Sequence, residues 1–193
     1  MPKKNAVELK NEYGDIKLGE HKAPIKIDLE YGSVNCNFPI NEISLKLEYG
    51  KAYLKNVNFL ETKSNYSEIE AENVVSSNVK CDYCSIRVNE ITETANFKMD
   101  YSKIKVNKLG EKFKEFNFKG DYNDIRMEVE ENTNLCYNFE GSYSHFKVEK
   151  NPEDQYLKQS LQNNQPIKIN IGVSTTPKIT ILSDYTNVKI SNL

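Results

Sequence analysis

Polar and apolar residues alternate through much of the chain, and the alternation breaks at regular intervals. In Ile25-Lys26-Ile27-Asp28-Leu29-Glu30-Tyr31 and Ile43-Ser44-Leu45-Lys46-Leu47-Glu48-Tyr49, every second residue is apolar. This is the period of a strand with one buried face. After each of these tyrosines the phase slips by one, and the third and fifth following residues become the apolar ones. Aligned on tyrosine, segments such as NEYGDIKL, LEYGSVNC, CDYCSIRV, MDYSKIKV and SDYTNVKI fall into columns. The column is Tyr13, Tyr31, Tyr49, Tyr66, Tyr83, Tyr101, Tyr122, Tyr143 and Tyr185, spaced by 17–21 residues except for the last interval, which is twice as long as the one before it. Positions +3 (Ile16, Val34, Ala52, Ile69, Ile86, Ile104, Ile125, Phe146, Val188) and +5 (Leu18 through Ile190) are apolar in every copy. Position +1 is small or turn-forming: Gly14, Gly32, Gly50, Ser67, Cys84, Ser102, Asn123, Ser144 or Thr186.

A copy of about 18 residues cannot bury its own apolar face, whereas parallel stacking buries all the copies in one core. The pattern therefore predicts an all-β fold: a single parallel β-helix, or β-solenoid, of about 9–10 rungs over residues 1–193, with 17–21-residue repeats. The tyrosines are expected to form a structural ladder packed inward or at a corner, continuing the alternation that precedes them. The long last interval reads as two periods, with one copy lacking its tyrosine or replaced by an insertion. Residues 150–166 are that interruption. Asn151-Pro152-Glu153-Asp154 carries a helix-start signal, and a short helix or an Ω-like loop on the side of the rod is expected.

Outward columns are charged. Position −1 is mostly acidic (Glu12, Glu30, Glu48, Asp82, Asp100, Asp121, Asp184), and position −3 holds Lys10, Lys46, Lys63, Lys80, Lys98 and Lys119. The totals balance, with Lys+Arg 26 against Asp+Glu 28 and a net charge of −2, so there is no basic field for nucleic acid. No apolar run of about 18 residues predicts a membrane span.

Chemistry-bearing residues are sparse. Cys81-x-x-Cys84 is half of a zinc or redox motif without a second pair. Cys36 and Cys81 fall in apolar columns and Cys136 at an outward position, so all four cysteines are read as free structural thiols. His21 and His145 lie in different parts of the repeat and are read as solvated, and neither a Ser-His-Asp set nor a metal site can be assembled from them. A row of carboxylates each beside a lysine converges poorly on calcium. Catalytic residues, cofactors and metals are therefore all read as none. Tyr53 and Tyr137, off the main column, are the candidate exposed binding aromatics.

The core Tyr-Gly/Ser-x-Ile/Val-x-Val/Ile/Leu, clearest in Glu12-Tyr13-Gly14-Asp15-Ile16-Lys17-Leu18 and Asp184-Tyr185-Thr186-Asn187-Val188-Lys189-Ile190, resembles the adhesin domains of Bacteroidetes-type bacteria. These include the auto-transporter adhesin head (GIN) domain. The resemblance implies a β-helix-like fold, a non-enzymatic binding or structural module, and a setting in the cell envelope or outside the cell. A cytoplasmic location stays open, because Met1-Pro2-Lys3-Lys4-Asn5 has no apolar leader. Expected partners are a protein or glycan surface, or further copies joined by end-to-end or lateral β packing. The alternatives are a polymerising scaffold like the bactofilin filaments and, last, a polysaccharide-acting β-helix enzyme.

Overall fold

The computed structural model describes residues 5–130, 133–149, 157–160, 167–172 and 177–192, and every regular element among them is a β-strand. The strands are β1 (Val7–Leu18), β2 (Ile25–Cys36), β3 (Ile40–Leu47), β4 (Gly50–Asn65), β5 (Glu68–Asp82), β6 (Ser85–Asp100), β7 (Lys103–Leu109) and β8 (Glu115–Lys119). They continue with β9 (Asp124–Val129), β10 (Cys136–Gly141), β11 (His145–Val148), β12 (Leu157–Ser160), β13 (Ile167–Ile171), β14 (Lys178–Leu182) and β15 (Asn187–Asn192). No helix among the described residues is long and apolar enough to cross a membrane. The strands stack in parallel, β1 on β2, β4 on β5 and β5 on β6, with like columns in register: Tyr13 on Tyr31, Ile69 on Ile86, Cys81 on Met99. The fold is the expected β-solenoid.

One turn shows how the pattern closes into a coil. Leu60, Thr62 and Ser64 point inward, Asn65 and Tyr66 both point outward, and Ser67, Ile69 and Ala71 point inward again. Two consecutive outward residues make a corner. Two more such pairs follow, one on each side of the single inward residue Val74. Each turn thus has two long sides and one short side. Inward residues meet their own kind at about 4.8 Å. A fully buried Ile, Leu or Val then contributes about 1.5–3 kcal/mol. Variation in repeat length falls on the short side. Ser85 of β6 pairs with Lys103 of β7, one ordinary period on, whereas Thr94 of the same strand pairs with Glu115 of β8, a longer step. The extra length lies in the 110–114 connection between β7 and β8.

Seven turns, those of Tyr13 to Tyr122, follow one another in chain order. The last two do not. On one long side the spatial order is β6, β8, β14, β10, and on the other β7, β9, β15, β11. The chain leaves the Tyr122 level, passes over one vacant level and builds the Tyr143 level. It then returns through β12 and β13, which run antiparallel along the far edges of β11 and β10. Finally β14 and β15 fill the vacant level, parallel to both neighbours. The long interval between Tyr143 and Tyr185 is therefore neither a lost copy nor an in-line insertion: its reversed strands close the end of the rod, and the last copy steps back by one level. The helix or loop expected over 151–162 is corrected where it can be seen, because Leu157–Ser160 is a strand paired with His145–Val148. The rest of that segment lies outside the described residues.

Candidate binding surface

The tyrosine corner is the most regular feature of the surface. Tyr49, Tyr66, Tyr83, Tyr101, Tyr122, Tyr143 and Tyr185 all have left-handed backbones, with φ between 49° and 60°. At the first two levels the following glycines take positive φ instead, Gly14 at 114° and Gly32 at 137°. A left-handed conformation costs a non-glycine residue roughly 1–2 kcal/mol, so the corner needs compensating contacts. Rings on adjacent levels stack at centroid distances of 4.7–5.4 Å and interplanar angles of 3–8°. The Tyr66 N–H donates to Asp82 O on the next level, and Tyr83, Tyr101, Tyr122 and Tyr185 repeat that bond.

The rings stand at the corner and outside the core, so of the two expected placements the corner holds and the inward one does not. Tyr13 is 70% exposed and the other eight are 38–51% exposed. Tyrosine is the second outward residue of the corner pair, and the small +1 residue turns inward in its place. Every ring between the first and last levels is covered on both faces by its neighbours, so along its length the ladder offers edges and hydroxyls to a partner rather than open faces for sugar stacking. Desolvation in the stack raises the phenol pKa of Tyr31, Tyr83 and Tyr122, and the neighbouring phenols and carboxylates add to it.

Two polar ladders hold the corner. Inside, the +1 side chains bridge levels. Ser102 Oγ accepts from Cys84 N–H and donates to Asp100 O, Asn123 Oδ1 accepts from Ser102 N–H, Thr186 Oγ1 from Asn123 N–H, and Ser144 Oγ from Thr186 N–H. Outside, Asp82, Asp100, Asp121 and Asp184 each accept the N–H of the −1 residue one level on. The acidic column thus satisfies backbone donors that the bend takes out of the strand ladder. No group of three or more His, Cys, Asp or Glu that could hold a metal occurs among the described residues.

The long sides display the remaining columns. Before the corner, Asn-x-Lys-x-Asp-Tyr recurs at three consecutive levels: Asn78, Lys80, Asp82, Tyr83; Asn96, Lys98, Asp100, Tyr101; and Asn117, Lys119, Asp121, Tyr122. Lys46 and Lys63 extend the lysine file to five levels. Some asparagines bond along their columns, as from Asn117 Nδ2 to Asn96 Oδ1 at 3.0 Å. After the corner, the stepped-back copy places Lys189 between Arg126 and Lys147. That file is paired with acids: Arg126 with Asp124, Lys147 and Lys189 with Glu149, and Arg87 with Glu68 and Glu70. The Lys147 and Lys189 ammonium groups hold the Glu149 carboxyl below its ordinary range.

The two aromatics read as exposed diverge. Tyr53 is at the surface and lines a shallow depression with Glu70, Arg87, Lys105 and Asn107. Tyr137 is only 4% exposed, packed beside Phe139, and burial pushes its phenol up to about 12. It occupies the inward −6 column, together with Ile25 and Phe116.

The thiol reading also changes. Cys81 and Cys84, the inward residues flanking one corner, form a disulfide with Cα atoms 6.0 Å apart. At the Tyr185 level the same two positions are bridged by hydroxyls instead, Ser183 and Thr186. Cys36 and Cys136 are free, and both are buried. Cys136 is therefore not outward: it sits in a run of three buried residues, Leu135, Cys136 and Tyr137. His21 Nε2 lies 2.7 Å from Asn5 O, and both histidines are half-buried rather than fully solvated.

No family model matches this chain, and no curated protein or solved structure is significantly similar to it.

Proposed function

We propose that the chain is a non-enzymatic, adhesin-like binding rod of the bacterial cell envelope, docking an extended protein or glycan partner along the side that carries the lysine file. The observation that carries this reading is the Asn-Lys-Asp-Tyr set, repeated at three successive levels with its lysines exposed. A flat array of like groups at strand spacing binds by many weak, simultaneous contacts, which favours a long partner over a small molecule. The carboxylates beside it are engaged with backbone amides. That leaves them as structural supports rather than as a converging acid–base pair of the kind a polysaccharide-acting enzyme needs. The Cys81–Cys84 disulfide fits an oxidising compartment.

The test is binding of the purified chain to arrayed glycans and to immobilised cell-surface proteins, with and without Lys63→Glu, Lys80→Glu and Lys98→Glu together. At least a tenfold loss with an unchanged melting temperature is expected, about 1.4 kcal/mol or more. Binding that survives the triple reversal, or no binding to either array, rejects this face as the docking side.

A further inference from the structure

The first level of the rod has one bare side among the described residues. Among the described strands β1 pairs with β2 alone. Its inward residues Leu9, Ile16 and Leu18 are only partly covered, whereas Ile27, Val34 and Cys36 above them are buried. The backbone groups facing that side can be identified. Val7 N–H donates to Pro24 O, toward the second level. At later levels Lys103 and Asp124, each second after its tyrosine, send their N–H groups toward the first. Alternate residues of a parallel strand address opposite neighbours. Glu8 and Lys10 before the corner, and Asp15 and Lys17 after it, therefore present their N–H and C=O groups to the bare edge.

A second copy fits this edge through a two-fold axis that passes through the corner and bisects the two limbs of β1. The rotation exchanges the limbs and reverses their direction, giving an antiparallel ladder. Inward residues have odd numbers before the corner (Val7, Leu9) and even numbers after it (Ile16, Leu18). The edge-facing residues show the converse. Both sets match only in registers centred between two residues. The register centred between Glu12 and Tyr13 sets Glu8 opposite Lys17, Lys10 opposite Asp15, Leu9 opposite Ile16 and Val7 opposite Leu18. The next permitted register in one direction puts Glu8 against Asp15, and in the other Lys10 against Lys17. Charge therefore selects one register out of those the backbone allows. Glu8 and Asp15 are already oriented by their own chain, through Lys26 and Ser33. The same operation at the Tyr31 level sets Lys26 against Asn35, and at the Tyr101 level Lys98 against Lys103, so the match belongs to the edge level.

We infer that the bare β1 edge is the seat of a second copy of this chain, joined head to head in an isologous dimer with Lys10 facing Asp15 and Glu8 facing Lys17 across the two-fold axis. Pairing also removes an open edge that would otherwise recruit foreign strands. Sedimentation equilibrium of the intact chain is expected to give twice its 22.3 kDa mass. Lys10→Glu alone and Asp15→Lys alone each place two like-charged pairs in the seam and are expected to weaken association about tenfold or more. An equal mixture of these two variants restores every pair and is expected to associate like the unmodified chain. Circular dichroism melts of the single variants monitor folding, and the mixture remains decisive if either is destabilised. A chain that stays monomeric at all concentrations overturns the proposal. So do single variants that still dimerise, or a mixture that gains nothing.

Discussion

The turns of Tyr13 to Tyr122 and the two terminal turns are made from the same side chains but assembled by different rules. In the first region each level rests on the one immediately before it in the chain. In the second, the hydrogen bonds that join levels span 63 residues (Asn123 to Thr186) and 42 residues (Thr186 to Ser144). The contacts are otherwise alike: Tyr122 and Tyr143 stack on Tyr185 at 4.7 and 4.9 Å, as the earlier rings do on each other. Repeat chemistry therefore specifies which surfaces fit, and the connections specify the order in which they are laid down. The energetic difference is small. Closing the longer loop rather than a single repeat costs about 1 kcal/mol more. Burying Ile179, Ile181, Val188 and Ile190 returns about 1.5–3 kcal/mol each.

The largest test of this contrast is removal of residues 177–193. The vacant level then separates β9 from β11, and hydrogen exchange is expected to show β10–β13 losing protection while β1–β7 keep theirs. Collapse of protection throughout would make the two regions one cooperative unit. A smaller effect comes from crowding the terminal junction. A Cβ at Gly141 would lie 1.9 Å from Ser183 O, so Gly141→Ala is expected to destabilise by about 1–3 kcal/mol in urea. Gly120, at the same position in the first region, has Met99 O 1.8 Å from its Cβ site and should respond alike, whereas Gly50 on the other flank of the corner has Gly32 O at 3.5 Å, and Gly50→Ala should stay within about 0.5 kcal/mol. The smallest effect is alkaline. Tyr137 of the terminal region is pushed from 10.0 to about 12 by burial. A raised acid stays neutral in the fold, so its contribution is complete below pH 10 and drains away as pH climbs toward 12. A loss of about 1 kcal/mol midway is expected from this group, and Tyr137→Phe should remove that share of the slope while leaving the share of the raised ladder phenols Tyr31, Tyr83 and Tyr122.

Much of the rod was legible in the sequence because strand periodicity survives every substitution in the +3 and +5 columns. The outward side of the tyrosines was not, because the alternation Ile25, Ile27, Leu29 runs on smoothly to Tyr31. The missed signal is the +1 column, whose Gly, Ser, Cys, Asn and Thr are small because they fill the inside of a tight corner. Reading Cys84 there as inward also sets it beside Cys81. Tyr137 carried a similar signal, since counting back from Tyr143 places it in the same column as Phe116. The order of the last two levels left no trace in the columns, because Tyr122 offers the same face to Tyr143 and to Tyr185. Of the candidate site, the lysine and acid files were visible as spacing. The capping of backbone amides by Asp82, Asp100, Asp121 and Asp184 emerged only once the bend fixed which N–H groups lacked partners.

The stepped-back copy also has a mechanical consequence. β15 is gripped on both edges by parallel neighbours, β9 and β11. Tension applied along it at its C-terminal end loads both rows of bonds in shear rather than peeling them one at a time. A pull along that strand meets a wedge rather than a free edge, so the rod resists extension there more than at β1, whose strand has a neighbour on one side alone among the described strands.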